Sequence, residues 1–203
     1  MDMAATLDEL PHMSSSEEGD AELMRRVGRG DAVACRVLVD RHLGSIMRFA
    51  HRLIGDATEA EDVAQDTFLR LWRHADRWEP KAKLTTWLHR VAYNLAVDRL
   101  RARRDMPVAQ LPERADARSE APAQMEQQQT SKAVNDALAS LAERQRTAIA
   151  LVYYQGLSNR EAADVMGVQV DALESLLARG RRALRSKLAD DAPDGQRDEQ
   201  VES

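Results

Sequence analysis

One segment of the chain combines side chains that rarely serve a single purpose. The stretch LTTWLHRVAYNLAVDRLRARR, residues 84–104, has apolar residues at helical spacing, which predicts an amphipathic helix with one buried face. It also carries Trp87 and Asn94, and it ends in a run of arginines. A helix that only packs has little use for an amide or a cationic end. The segment therefore raises the question of a ligand.

Charge is segregated along the chain, although the net charge is only −5. Residues 81–104 hold seven Lys or Arg against one acid, and residues 179–187 hold five basic residues and no acid. The first 22 residues contain seven acids and no Lys or Arg, and the chain is acidic again after Leu188. Two basic patches between acidic ends favour a polyanionic partner. Solvated helix faces are the alternative interpretation.

The composition predicts a helical protein without disulfides. Of 203 residues, 43% are hydrophobic, Gly and Pro are few, and strand-type alternation is nearly absent. No apolar run is long enough to cross a membrane, and the N-terminus has neither the basic region nor the apolar stretch of a secretory signal. Cys35 has no partner cysteine. We expect an all-α, cytoplasmic protein.

Local stop and start signals divide the chain into two helical domains joined by a linker. Gly28 and Gly30 mark a break, Asp31 is a good N-cap, Gly55 ends the next helix, and Pro80 ends the one after it. The segment between the two domains holds three of the six prolines and lacks periodicity. The predicted segments are a disordered acidic extension at 1–19, a first domain at 20–104, a flexible linker at 105–131, a second domain at 132–188 and an acidic disordered tail at 189–203.

The second domain carries the spacing of a helix-turn-helix. In NREAADVMGVQVDALESLL, Ala163 is small enough for two helices to meet, and Gly167 supplies a turn four residues later. Ser158 and Glu161 have capping-box spacing. Arginine can bind guanine or phosphate, and glutamate can accept from cytosine. The polar and basic residues predicted to face outward are Glu174, Ser175, Arg179, Arg181, Arg182 and Arg185.

Two blocks of this sequence resemble a known family. The stretch LAERQRTAIALVYYQGLSNREAADVMGVQVDALESLLARGRRALR resembles region 4 of the sigma-70 family. The stretch GDATEAEDVAQDTFLRLWRHADRWEPKAKLTTWLHRVAYNLAVDRLRARR resembles region 2. Their order, and the lack of other sigma regions, resemble an extracytoplasmic-function (ECF) sigma factor over residues 20–188. Such a protein directs RNA polymerase to promoters and is not itself an enzyme.

The resemblance implies a role for particular residues. The 84–104 helix would hold the melted strand of the −10 element, with aromatic and amide groups receiving unstacked bases. The implied −10 residues are Trp87, Arg90, Asn94, Arg99, Arg101, Arg103 and Arg104. The implied −35 residues are Glu174, Ser175, Ala178, Arg179, Arg181 and Arg182. Trp87 also lies on the apolar stripe of its helix, so a packing role is expected beside any contact with DNA.

The resemblance also implies protein partners. Asp62, Gln65 and Phe68 would dock on the coiled coil of the polymerase β′ clamp, and the second domain would meet the β flap. An anti-sigma factor is the expected regulator. Gln169 stands where many relatives have a capping Ser, so Asp171 is expected to take over the cap or to favour the helix dipole.

Two other functions stay open at this point. An ordinary helix-turn-helix regulator would use residues 20–104 for sensing or dimerisation. A helical metal hydrolase would use Glu59, Asp62 and Asp66, which share one helix face, but no Glu-x-x-His partner motif accompanies them. No nucleophile–base set, phosphate loop or ligand-spaced histidines occur. We therefore predict no catalytic residues, no metal and no cofactor.

Overall fold

The computed structural model describes residues 19–80, 82–105 and 136–190, and these residues are helical apart from short connections. This confirms the predicted all-α class. The predictions for residues 1–18, for the linker from 106 to 135 and for the tail from 191 onward lie outside the described residues. The principal helices are α1 Asp20–Val27, α2 Ala32–Ile54, α3 Ala57–His74, α4 Leu84–Asp105, α5 Glu143–Ile149, α6 Asn159–Met166 and α7 Val170–Asp190.

Two helices continue in other helical forms. A 3₁₀ turn at Ala75–Arg77 extends α3, and a π-helical segment at Ala150–Tyr154 extends α5. None of the described helices is both long and apolar enough to cross a bilayer.

Capping residues fix where the helices of the first domain begin and end. Asp31 accepts hydrogen bonds from the backbone N–H groups of Val33 and Ala34. The hydrogen bond from the Ala34 N–H has the largest effect on the Asp31 carboxyl and lowers its pKa. The hydrogen bond from the Arg26 side chain lowers this pKa further. Gly55 ends α2 with φ of 76°, a left-handed conformation that glycine adopts without strain. The predicted break, the start of α2 after Asp31 and its end at Gly55 are confirmed, whereas α3 and its 3₁₀ turn end at Arg77, before the predicted Pro80.

The core of the first domain lies between α2, α3 and α4. Phe49 on α2, Leu71 on α3 and Leu88 on α4 are fully excluded from solvent. Each such side chain stabilises the fold by roughly 1.5–3 kcal/mol when it leaves water. Trp72 follows Leu71 in an apolar pair, yet 43% of it is exposed. Leu71 turns into the core, and the next residue is rotated about 100° away from it.

The second domain has the predicted helix-turn-helix. The Ser158 hydroxyl accepts from the Glu161 backbone N–H, and the Glu161 carboxylate accepts from the Ser158 backbone N–H at 2.9 Å, so the capping box is complete. Gly167 makes the turn with φ of 63°. Gly180 allows α7 to lie close to α5, since a Cβ atom at this position would be 2.9 Å from the Ile149 side chain.

The start of α7 follows one of the two predicted capping alternatives. The helix begins at Val170, and the Gln169 carbonyl accepts from the Leu173 N–H at 3.0 Å. Asp171 therefore lies inside the first turn, where a carboxylate favours the positive end of the helix dipole.

The two predicted domains contact each other, which the sequence did not predict. Ser45 on α2 donates to Gln155 of the second domain at 2.6 Å, and the Arg52 guanidinium lies 4.1 Å from the centre of the Tyr154 ring. We call this contact surface the domain seam. Two ion pairs complete it: Lys83–Glu161 at 3.0 Å and Arg104–Glu143 at 2.9 Å.

Candidate promoter and polymerase interfaces

The −10 candidates on α4 form one stripe. Trp87, Arg90 and Asn94 follow the spacing three and four, which places them on the same side of a helix. Arg90 and Asn94 are exposed, whereas Trp87 is half-buried and packs against the core. The structure thus brings these three residues together. It also gives Trp87 the packing role that its place on the apolar stripe predicts.

An aromatic cavity lies beside this stripe. The His74 and Trp87 rings stack, with centroids 5.6 Å apart and planes inclined by 5°. They border a cavity of about 250 Å³, whose lining residues are His74, Arg77, Trp78, Glu79, Ala82 and Trp87. This is below the roughly 300–1,000 Å³ of sites for drug-sized ligands and suits a single flat group.

The sequence did not predict that His74, at the end of α3, and Trp78, in the connection before α4, would border a cavity with Trp87. The other lining residues of that connection were not predicted either. Trp78 could have drawn notice because it is a large aromatic residue close to Pro80 in a connection between helices. Its approach to Trp87 depends on the path of the intervening loop, which periodicity does not reveal.

Three arginines at the end of α4 are engaged with carboxylates. Arg99 pairs with Asp66 at 3.1 Å, and Arg103 pairs with Glu59 at 2.6 Å. Arg104 binds Glu143 of the second domain. These three could reach a phosphate only by exchanging partners. Arg90 and Arg101 are exposed and make no salt bridge to any described residue, so they are the cations of α4 that are ready for a phosphate.

The −35 candidates on α7 share one outward face. Glu174, Ser175, Ala178, Arg179, Arg181 and Arg182 are all exposed. Buried Leu173, Leu176 and Leu177 hold the opposite side of the helix. Glu174 accepts from Asn159 of α6 at 3.2 Å, and Arg179 donates through Nε to the Ser175 carbonyl at 3.2 Å. The face therefore presents a carboxylate, a hydroxyl and guanidinium groups together, as base-edge recognition in a major groove requires.

Tyr153 supports this face from the π-helical segment. Its hydroxyl accepts from Arg181 Nη1 at 2.7 Å. Tyr153 and its neighbour Tyr154 are 53% and 40% exposed. Tyr153 orients Arg181 of α7, and Tyr154 lies under Arg52 in the domain seam.

The polymerase candidates on α3 divide between surface and core. Asp62 and Gln65 are exposed, whereas Phe68 is only 8% exposed and belongs to the core. Leu69 and Trp72 share the outward face of Asp62 and Gln65, and they are 51% and 43% exposed. We call Asp62, Gln65, Leu69 and Trp72 the α3 stripe. Exposed apolar residues flanked by polar ones are a common feature of protein-binding surfaces.

Buried polar groups line the domain seam. His89 on α4 is 3% exposed, and its Nδ1 atom is 2.7 Å from the Thr85 carbonyl, to which it donates. Burial lowers the pKa of His89, so the ring is neutral at pH 7. Hydrogen bonds from the Ser158 hydroxyl and backbone, followed by the one from Lys83, lower the pKa of Glu161 to about 2. Glu161 therefore meets Lys83 as a carboxylate.

A helix-turn-helix whose second helix presents exposed arginines is typical of DNA-binding transcription proteins. Family comparison assigns the blocks directly: residues 38–105 match Sigma-70 region 2, and residues 131–184 match Sigma-70, region 4. The chain is 30% identical over 187 residues to the ECF RNA polymerase sigma factor SigW of Bacillus subtilis, covering 82% of this chain and 95% of that protein.

Further similarities agree with this result. RNA polymerase sigma-H factor of Pseudomonas aeruginosa is 33% identical over 197 residues, covering 85% of this chain and 95% of the relative. A solved structure of CnrH in complex with the cytosolic domain of CnrY has a TM-score of 0.67 and 27% identity, covering 86% of this chain and all of CnrH. The chain belongs to the ECF sigma factors of the sigma-70 family.

Proposed function

We propose that this chain binds core RNA polymerase and directs it to promoters, where it recognises the −35 and −10 elements and assists strand opening. The observation that carries the proposal is the pairing, in one chain, of a duplex-reading helix with an aromatic cavity beside an exposed amide. A sigma factor needs both, because it must first read double-stranded DNA and then hold an unstacked base. It supplies recognition, and the polymerase supplies the catalysis.

The −10 function rests on the α4 stripe. Trp87 and the cavity beside it offer stacking, which contributes roughly 1–3 kcal/mol per base. Asn94 offers two donors and an acceptor for a base edge. Arg90 and Arg101 are our first candidates for the strand's phosphates. Arg99, Arg103 and Arg104 stay in the proposed set, and their contribution requires partner exchange.

The −35 function rests on the outward face of α7. We assign base readout to Glu174, Ser175, Ala178 and Arg179, which lie in the first half of the helix. Arg181 and Arg182 lie further along, where phosphate contact fits their exposed guanidinium groups. The N-terminal half of a recognition helix is the part that usually enters the groove.

Polymerase binding rests on the α3 stripe. Asp62 and Gln65 provide polar contacts for the β′ clamp, and Leu69 and Trp72 provide apolar area. Phe68 holds the shape of α3 from within. The second domain would meet the β flap. We place the protein in the cytoplasm, where polymerase and chromosome are.

An anti-sigma factor is the proposed regulator. CnrH, which is similar to this chain across both domains, was solved with the cytosolic domain of a second protein bound. A protein that contacts both sides of the domain seam would hold the two DNA-binding faces at a fixed separation. Such binding would prevent them from reaching two separated promoter elements together.

The decisive experiment is run-off transcription from genomic DNA fragments by core polymerase with and without the purified chain. We expect discrete new transcripts that require both proteins. The rival helix-turn-helix regulator predicts DNA binding that ignores core polymerase, and no new transcripts. A result of that kind would replace the proposal.

The metal hydrolase alternative loses support at its ligands. Glu59 binds Arg103, and Asp66 binds Arg99, so two of its three carboxylates already have cationic partners. Within residues 19–80, 82–105 and 136–190, no three His, Cys, Asp or Glu side chains form a group able to hold a metal ion. Metal analysis of the purified protein tests this alternative independently.

A further inference from the structure

We propose that the acidic C-terminal tail of this chain, residues 191–203, docks on the arginine face of α7 and competes there with DNA. The proposal rests on the proposed function only in assigning that face to the −35 duplex. The arginine face lies among the described residues, and the tail lies outside them.

The arginine face of α7 consists of Arg179, Arg181, Arg182 and Arg185, and it lacks carboxylate partners among the side chains described up to residue 188. Arg179, Arg182 and Arg185 are exposed, and none of them forms a salt bridge with any of those side chains. Arg181 is held by a neutral hydroxyl, that of Tyr153. The end of α4 provides the contrast, because Arg99, Arg103 and Arg104 each bind a carboxylate. Arg179, Arg182 and Arg185 are therefore the arginines without a described counter-charge.

The tail carries that counter-charge immediately after the helix. Residues 191–203 contain five acids and one arginine. Asp191 and Asp194 lie at the start of the tail. The other three acids, Asp198, Glu199 and Glu202, lie in its second half. Carboxylates close to a helix C-terminus oppose the helix dipole. They gain by moving away from that end and over the arginines.

The sequence of the tail predicts a reversal of direction. Residues 192–196 read APDGQ, and a Pro-Asp-Gly sequence favours a tight turn, because proline presets φ and glycine accepts the closing conformation. The proline also disfavours helical backbone at Ala192, so α7 is expected to end before it. A chain that makes such a turn is expected to run back along α7 instead of away from it.

The lengths are compatible with docking. Residues 196–203, if extended, reach back about 26 Å at roughly 3.3 Å per residue. The helix between Arg179 and Asp190 rises by about 16 Å at roughly 1.5 Å per residue. Glu202, six residues beyond Gln196, can therefore reach back about 20 Å, as far as Arg179, whereas Asp198 and Glu199 reach the part of the arginine face nearer to Asp190. Tethering of so short a segment gives an effective concentration in the millimolar range, so individually weak ion pairs suffice.

The test measures binding of the full chain, without polymerase, to a fluorescent duplex of arbitrary sequence. The first variant neutralises the tail: Asp198→Asn, Glu199→Gln and Glu202→Gln. A matched control neutralises three acids of the N-terminal extension: Asp8→Asn, Glu9→Gln and Glu17→Gln. At about 0.05 M salt we expect the tail variant to bind about 5-fold more tightly than the parent chain, since three exposed ion pairs no longer compete. The gain should vanish near 0.5 M salt, where charges are screened.

A second pair of variants locates the competing surface. With Arg182→Gln and Arg185→Gln in place, neutralising the tail should no longer change DNA affinity, although overall binding is weaker. Truncation after Asp190 should reproduce the gain of the neutral tail. Circular dichroism confirms that each variant is folded.

Several results would overturn the proposal. An equal gain from the N-terminal control would mean that net charge, and not the tail, sets the affinity. If truncation tightens DNA binding but neutralisation does not, the tail acts by steric exclusion and not through its charge. Persistence of the gain without Arg182 and Arg185 would place the tail elsewhere. Because the assay contains no polymerase and no promoter, these outcomes are independent of whether the chain directs transcription.

Discussion

Single residues at the two DNA faces differ in what they can contribute. Asn94 is neutral and exposed, so it adds hydrogen-bond capacity without attraction for bulk phosphate. Arg179 is cationic and exposed, and its Nε group donates to the Ser175 carbonyl, a bond that does not use the Nη groups. The first suits an unstacked base edge, and the second suits a base edge within a duplex.

Asn94→Ala should impair promoter opening more than closed-complex formation. Its amide becomes useful only after a base has left the stack, whereas duplex engagement depends on charge. Permanganate reactivity of thymines near −10 measures opening, and a gel shift on the same promoter measures engagement. Equal losses in both assays would assign Asn94 to folding or duplex docking.

Arg179→Ala should weaken −35-dependent transcription while binding to core polymerase is retained. A bidentate base contact contributes about 1–3 kcal/mol, which corresponds to roughly 5- to 150-fold in affinity. A panel of −35 point mutants shows whether discrimination at one position is lost. Unchanged discrimination at every position, with uniformly weaker binding, would make Arg179 a phosphate ligand.

At the scale of the helix, burial separates residues that the chain places side by side. Phe68 and Leu69 are neighbours, yet Phe68 is 8% exposed and Leu69 is 51% exposed. Removing Phe68 therefore disturbs the core, because large-to-small changes in a core cost about 3–5 kcal/mol. A test of polymerase docking must use the exposed residues of α3.

Asp62→Arg combined with Leu69→Ala should abolish co-purification with core polymerase while the thermal unfolding midpoint stays close to that of the parent chain. The reason is that both side chains face outward on the α3 stripe. Arg70→Glu is the matched control, since Arg70 is also exposed but lies about 100° further around the helix than Leu69. Normal binding by the double variant, or equal loss in the control, would remove this face from the interface.

At the scale of the whole molecule, the domain seam sets the separation of the two DNA faces. A compact protein of this size has a radius of gyration of about 17 Å. A duplex rises roughly 3.4 Å per base pair, so two elements more than about 13 base pairs apart lie farther apart than such a body is wide. We expect the seam to open when the protein binds both promoter elements.

Seam variants should open the free protein. Lys83→Glu with Arg104→Glu places like charges opposite Glu161 and Glu143, and the expected result is a larger radius of gyration in small-angle X-ray scattering. Restoring attraction at one pair with Glu143→Arg should partly reverse the expansion. Arg101→Glu serves as the control, because Arg101 is exposed and lies outside the seam. An unchanged radius in the double variant would mean that these pairs do not hold the domains together.

The sequence by itself determined several helix boundaries and the family. Asp31, Gly55, Gly167 and the Ser158–Glu161 capping box end or begin helices through bonds within about four residues, so their roles follow from neighbours alone. Helical periodicity identified the buried faces, and two family blocks in order identified the class of protein.

Only the tertiary structure decided how distant surfaces meet. Arg99 finds Asp66, 33 residues away, and Ser45 finds Gln155, 110 residues away. The cavity beside Trp87 needs Trp78, whose position depends on a loop. Periodicity states which side of a helix avoids water, but it does not state which carboxylate a given arginine will meet. That choice depends on how helices cross and where loops return, and many long-range contacts determine it jointly.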